Sequence, residues 1–255
     1  MTVAALLTVR NEELYLSRCL EHLISQGIET CLIDNDSTDR TLEIARKFSG
    51  RGVFRIEYLL FRGYFDLQNC LQNNERLANE IDADWFIHHD ADEIRQAPKP
   101  YKTLLEGIED VDSQGYNAIN FDEFVFLPTS IDESFEGKDY VKEMKYYYFL
   151  EPKPLRQIKA WKKTNKPIDL TSSGGHHVTF EAIRICPKPF ILRHYIALSR
   201  LHLEAKYTKR IYSPKEVARG WHKGRVGFKP GMLKFPNRER LKKISNNKTW
   251  DKSDP

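Results

Sequence analysis

No apolar run in this chain reaches the ~18–20 residues needed to span a bilayer. The apolar start, Met1–Val9, is too short for a signal peptide and runs straight into Arg10-Asn11-Glu12-Glu13. These absences point to a cytoplasmic protein, with attachment at the inner face of a membrane left open. Cysteine is sparse: Cys19, Cys31, Cys70 and Cys186 include no CxxC or other close pair. That argues against structural zinc and for small core residues in a reducing compartment. A mean hydropathy of −0.58, with 30% charged and 40% hydrophobic residues, excludes both a membrane-embedded and a disordered chain. There is no internal repeat.

At 255 residues the chain is long enough for one large domain or a domain with an appendage. Its net charge of +4 is unevenly spread: residues 201–255 hold fifteen Lys and Arg against five Asp and Glu. A basic end of this kind can face anionic lipid, nucleic acid or a phosphorylated substrate, or can be a solvated helical surface. No nucleic-acid module is recognisable in it, so nucleic acid is not expected as a partner.

The first 95 residues alternate short β-rich runs with helix-period segments, the pattern of a parallel sheet flanked by helices. Strands are expected at Val3–Thr8, Thr30–Ile33, Val53–Phe61 and Trp85–His88, and helices at Glu13–Ile24, Thr38–Phe48 and Asp66–Ile81. Residues 116–195 read as mixed strands: Tyr116–Leu127, Tyr146–Leu150, Leu155–Trp161, Val178–Ile185 and Phe190–Tyr195. Two helices are expected at Ala197–Tyr212 and Pro214–His222, and a weakly periodic segment from Gly224 onward.

Polar clusters follow the first, second and fourth strands, and ligands of open α/β sheets gather beyond the carboxyl ends of strands. Asp90-Ala91-Asp92 is the sharpest of them. Two carboxylates just past a buried strand offer hard oxygen ligands to Mg²⁺ or Mn²⁺, which would neutralise a diphosphate leaving group. The bland alternative is a solvated acidic turn. Thr8-Val9-Arg10-Asn11-Glu12 and Asp34-Asn35-Asp36-Ser37-Thr38-Asp39 are the other two clusters, the latter also readable as a helix cap made by Asp36 or Ser37.

With these three motifs in this order, the sequence resembles the family-2 glycosyltransferases over about residues 3–95. The resemblance implies a GT-A-like fold: an α/β domain with a mostly parallel central sheet flanked by helices and a mixed β acceptor side. It would span residues 1–222, with a nucleotide-binding half at 1–95 and an acceptor-side half at 96–222, followed by a basic extension at 223–255. It implies a nucleotide-diphosphate sugar as donor, UDP-sugar favoured, and transfer with inversion to a glycan, lipid-linked or protein acceptor. By the same likeness Thr8, Arg10 and Glu12 border the nucleoside, Asp34 accepts from a base N–H, and Asp90 contacts the ribose. Arg62 falls where the family often places a basic residue near the diphosphate. His194 stands where many enzymes of this fold complete the Mn²⁺ or Mg²⁺ site begun by Asp92. His177, in Gly174-Gly175-His176-His177, is a rival ligand or a contact for sugar or acceptor. Asp122 and Glu123, then Asp169, are candidates for the base that deprotonates the acceptor. A sugar nucleotidyltransferase would share the fold, but it would show a glycine-rich basic loop after the first strand. A non-catalytic glycan-binding protein would have no use for Asp34 together with Asp90 and Asp92.

Overall fold

The computed structural model describes residues 1–150, 157–244 and 250–253. The elements run β1 (Val3–Val9), α1 (Leu16–Ser25), β2 (Glu29–Asp34), α2 (Thr41–Lys47), β3 (Val53–Tyr58), α3 (Leu67–Glu80), β4 (Trp85–His89), β5 (Glu93–Gln96) and α4 (Leu104–Ser113). They continue as β6 (Ala118–Phe126), α5 (Tyr140–Glu143), β7 (Tyr146–Leu150), β8 (Ile158–Lys162), β9 (Phe190–Tyr195), α6 (Arg200–Thr208), α7 (Pro214–Ala218) and β10 (Lys242–Lys243).

Two compact units are present. The first holds residues 1–61, 67–122 and 152–192. Its sheet is ordered β6–β8–β4–β1–β2–β3. β4, β1, β2 and β3 are mutually parallel, while β8 runs antiparallel to both β4 and β6. This is the mostly parallel sheet with mixed outer strands that the pattern predicts. The central strands are buried on both faces: Val3, Ala4, Ala5, Leu6 and Leu7 of β1 are all inaccessible, as are Trp85, Phe86 and Ile87 of β4. Such strands read as continuous apolar runs because helices cover both sides. α1 lays Leu16, Cys19, Leu20 and Leu23 on the core, and α3 lays Cys70, Leu71, Asn74, Leu77 and Ala78 on it. Asn74 is the polar exception in an otherwise apolar stripe. Phe86 and Trp161 stack across the β4–β8 pair with centroids 5.9 Å apart.

The second unit holds residues 62–66, 123–151 and 193–255. Here β7 pairs antiparallel with Glu123–Phe126 of β6 and with β10. An aromatic cluster forms its core: Phe124 stacks on Trp250 at 4.4 Å and Phe126 on Tyr195 at 4.8 Å. The Arg193 guanidinium lies 5.1 Å from the Phe126 ring centre. The 62–66 arm is tied down by Phe65, whose N–H donates to the Ile211 carbonyl and whose carbonyl accepts from Ser213 N–H.

Several expected elements differ. Val178–Ile185 is not a strand. Only isolated bridges form at Thr179 and Ile185, because Ala182 takes φ +60° and its carbonyl is drawn to the Asn117 side chain. Of the expected strand Leu155–Trp161, residues 155–156 lie outside the described residues and β8 begins at Ile158. The last two helices are shorter than expected. α6 starts only where the Ser199 hydroxyl caps His202 N–H, and the chain after α7 turns out through Gly220 (φ +97°) and His222 (φ +58°). All four cysteines are buried free thiols.

Candidate active site

Strand order places a topological switch beside β1. The chain proceeds from β1 to β2 and β3 on one side and returns as β4 on the other. A crevice opens at the carboxyl ends of strands at such a point. Thr8 pairs with Ile33 and Val9 with Asp34, while Leu7 pairs with His89, so Thr8, Asp34 and Asp90 emerge side by side.

The first two motifs interlock. Asn11 N–H donates to the Ser37 hydroxyl, Thr38 N–H to Asn11 Oδ1 at 2.8 Å, Glu12 N–H to the Thr41 hydroxyl at 2.7 Å, and Glu13 N–H to Asp39 Oδ2. Arg10 donates to the carbonyls of Asn35 and Asp36, and its guanidinium lies 3.4 Å over the Phe61 ring. Asn11 and Asp36 both take positive φ, a conformation that their short polar side chains tolerate. The expected cap of α2 by Asp36 or Ser37 is not what forms. The helix begins later, at Thr41, whose N–H is taken by Asp39, while Ser37 and Thr38 bind the other motif. Inside this clasp Asp34 is almost fully buried. Its Oδ2 accepts from Ser37 N–H, and its buried Oδ1 meets no donor among the described residues. A buried carboxylate oxygen left without a donor costs ~1–3 kcal/mol or more, and a ligand N–H would remove that cost.

Beside it, Thr8 donates its hydroxyl to Asn74 Oδ1 at 3.2 Å, and Asn74 Nδ2 lies 3.1 Å from His88 Nδ1. Burial pushes the His88 imidazole down to about 3, so it is neutral and suits the acceptor role at Nδ1. His89, wholly buried, is likewise held far below its ordinary value by burial, and both its ring nitrogens lack partners among the described residues.

The Asp90–Asp92 segment is a tight turn, closed by Glu93 N–H to the Asp90 carbonyl and Asp90 N–H to Glu93 Oε2. It is not a solvated turn: Asp92 and Glu93 are buried, and Arg95 behind them is completely inaccessible. Arg95 is ion-paired to Glu93 and lies 4.6 Å from the Phe121 ring centre. Asp90 sits in a crowded recess yet keeps 46% of its side chain exposed. Burial alone would raise its carboxyl, but Lys159, with Arg95 adding to it, holds Asp90 well below the usual carboxylate range. The Lys159 ammonium lies 2.9 Å from Asp90 Oδ2 and 3.0 Å from Glu93 Oε1. Burial opposes its charge, and these two carboxylates more than offset that, raising it above an ordinary lysine.

Lys159 and Asn74 are absent from the sequence reading. Asn74 leaves a signal, a polar residue on an apolar helical stripe. Lys159 leaves a fainter one, a lysine between Ile158 and Ala160 in a buried strand.

The glycine-rich turn also belongs to this unit. Glu75 Oε1 accepts from Leu170 N–H, Thr171 N–H and the Thr171 hydroxyl, fastening the turn to α3. Gly175 (φ +79°) presses on protein: a Cβ there would come within 2.9 Å of Leu71 and 3.1 Å of His88 Nε2. His177 bridges to Ile158, next to Lys159, and Asp169 pairs with Thr179.

Arg62, Glu123 and His194 belong to the second unit. There His194 Nδ1 lies 2.7 Å from Glu123 Oε1, with Glu123 buried and His194 partly open. Asp122 ends the first unit's share of β6, and successive strand residues point to opposite faces. Among the described residues no group of three or more His, Cys, Asp and Glu is assembled for a metal ion.

Residues 5–110 match glycosyl transferase family 2. A glycosyltransferase, GlyA, from Streptococcus pneumoniae serotype 4 is 28% identical over 174 residues, covering 64% of this chain. The chain spans about a quarter (24%) of that relative's length. Among solved structures, TarS of S. aureus in complex with UDP is similar with a TM-score of 0.45 and 12% identity, over 77% of this chain and 61% of that one. Glucosyl-3-phosphoglycerate synthase from Mycobacterium tuberculosis, in complex with Mn²⁺, UDP and glucosyl-3-phosphoglycerate, is similar with a TM-score of 0.33 and 18% identity, over 50% and 44%. The stretch that matches this family, residues 5–110, contains all three of the motifs described above.

Proposed function

We propose that this chain transfers a sugar from a nucleotide-diphosphate sugar, UDP-sugar favoured, to a glycan, lipid-linked or protein acceptor, with inversion. The observation that carries the reading is Asp34, whose buried Oδ1 lacks a donor at the mouth of the β1–β4 switch. A base N–H directed at that oxygen supplies the missing hydrogen bond. Thr8, Arg10 and Glu12 shape the pocket around the nucleoside by fixing the β2 loop, and Asp90 faces the ribose and diphosphate beyond it.

The donor chemistry of the turn suits Mn²⁺ or Mg²⁺. Asp90 and Asp92 are hard oxygen ligands, and such ions commonly take only one or two protein carboxylates when substrate phosphates and water complete the shell. When bound, the ion would supply positive charge to the departing diphosphate. Glu123 and His194 form a carboxylate–imidazole pair suited to moving a proton in acceptor activation, with Asp122 and His177 as further candidates.

A second element concerns localisation. The basic end carries exposed Leu201, Ile211, Val226 and Met232 among its lysines and arginines, a composition suited to an anionic membrane surface. No helix among the described residues is long and apolar enough to cross a membrane.

The deciding experiment is a donor panel of UDP-, GDP-, CDP- and dTDP-sugars, scored for hydrolysis with and without Mn²⁺. Metal-stimulated release of one nucleoside diphosphate supports the reading; no binding or turnover of any donor refutes it.

A further inference from the structure

We propose that Lys159 is a positioning residue of the donor site. Its ammonium pins one oxygen of Asp90 and discharges the Asp90–Glu93 pair, so a divalent cation settles at Asp90 only together with a diphosphate. This rests on Asp90 serving the donor, as proposed above.

The backbone is shaped to deliver this side chain. Along the β6–β8 pair, Ile119 faces Ala160 but Asn120 faces Ile158, so Lys159 is the extra residue of a β-bulge. Phe121 N–H and Lys159 N–H both donate to the Gln157 carbonyl at this irregularity. Bulges re-aim side chains, and this one turns a lysine that is 5% exposed toward the end of β4.

Charge explains why a lysine is there. The 90–95 segment places three carboxylates, Asp90, Asp92 and Glu93, against one guanidinium, Arg95. Glu93 is already ion-paired to buried Arg95, so its single charge does not match the Lys159 ammonium as well. Lys159 instead divides itself between Glu93 and the exposed Asp90 at nearly equal distances. Asp90 therefore keeps one oxygen held by the protein and turns the rest of its carboxylate outward. Without the ammonium, the surplus of negative charge would draw a bare divalent cation into the turn ahead of the donor.

The test is Mn²⁺ binding followed by electron paramagnetic resonance, with and without UDP, in the wild type, Lys159→Met, Lys159→Arg and Asp90→Asn. In the absence of UDP, Lys159→Met is expected to bind Mn²⁺ roughly tenfold tighter or more, given the strength of one unscreened charge at this range. Lys159→Arg, which keeps the charge, is expected to restore the weak binding of the wild type. A folded Lys159→Met with unchanged Mn²⁺ affinity overturns the inference. Should that variant not fold, Lys159→Gln removes the charge while keeping a polar donor toward Asp90 and Glu93 and leaves the Arg95–Glu93 pair in place. Mn²⁺ binding must still tighten there, because the positive charge beside Asp90 is gone. If instead Asp90→Asn leaves Mn²⁺–UDP binding unchanged, the donor-site reading of Asp90 fails, and that result is distinct from a failure at Lys159.

Discussion

Asn74 reaches His88 through a buried 3.1 Å contact while its carbonyl oxygen accepts the Thr8 hydroxyl, so one side chain joins α3 to the ends of β1 and β4. Asn74→Leu fills similar space but strands Thr8 Oγ1 and His88 Nδ1. The expected loss of stability is about 1–3 kcal/mol, read from the urea midpoint at unchanged m-value. A variant as stable as the wild type would show that the chain of contacts is not a support of the crevice.

Asp34→Ala removes the acceptor proposed for the nucleotide base. Binding of the preferred nucleoside diphosphate, measured by calorimetry, should weaken by roughly 1.5–3 kcal/mol, the value of a hydrogen bond to a charged group. Because the carboxylate also takes Ser37 N–H, the melting temperature should be recorded alongside. Equal affinity of variant and wild type for UDP, GDP, CDP and dTDP alike would dismiss the base-binding role.

Asp92→Asn should cut Mn²⁺-stimulated donor hydrolysis by ~100-fold or more, as befits loss of a charged ligand worth several kcal/mol in the transition state. Asp92 is buried, so a circular-dichroism melt must accompany the assay. Near-normal stimulation by Mn²⁺ in a folded variant would remove Asp92 from the site.

Burial pushes the Cys31 thiol up to about 12 and Cys19 well above its ordinary value. Since the thiolate is the reactive form, these two should resist a disulfide reagent at pH 8 in the native protein, and burial of Cys70 and Cys186 should shield those as well. They should react together in denaturant. Rapid labelling of even one native thiol would contradict the packing described here.

Attraction of the basic end to anionic vesicles contributes about 1 kcal/mol per Lys or Arg near the surface and fades over a Debye length of ~8–10 Å. Co-sedimentation should accordingly be strong at low salt, fall steeply as salt rises, and be absent with neutral vesicles. No binding at low salt would end the membrane proposal.

The parts of this site legible in the sequence are those written locally. A buried strand ending in Asp34 or in His89-Asp90 declares itself because the apolar run and the polar cluster are adjacent in the chain. Even the parallel order could be anticipated from the helix between each pair of strands. Lys159 could not, because its partner Asp90 lies 69 residues away and the bulge that aims it is a property of the β6–β8 pairing. Glu75 is similar: its partners, Leu170 and Thr171, are 95 and 96 residues distant, on the turn that leads into Gly174-Gly175. The expected strand at Val178–Ile185 had the right composition and failed on a single backbone angle at Ala182.

The chain passes between its two compact units five times, after residues 61, 66, 122, 151 and 192. No single cut therefore separates them: a protein ending at residue 95 or 122 would lack β8, and with it the lysine that faces Asp90. A fragment holding the complete family-2 match would express the motifs without the strand that neutralises them. Its solubility and nucleotide affinity would then report on a truncated sheet with an unbalanced acidic turn, and dissection of this protein is better attempted by point substitution than by shortening it.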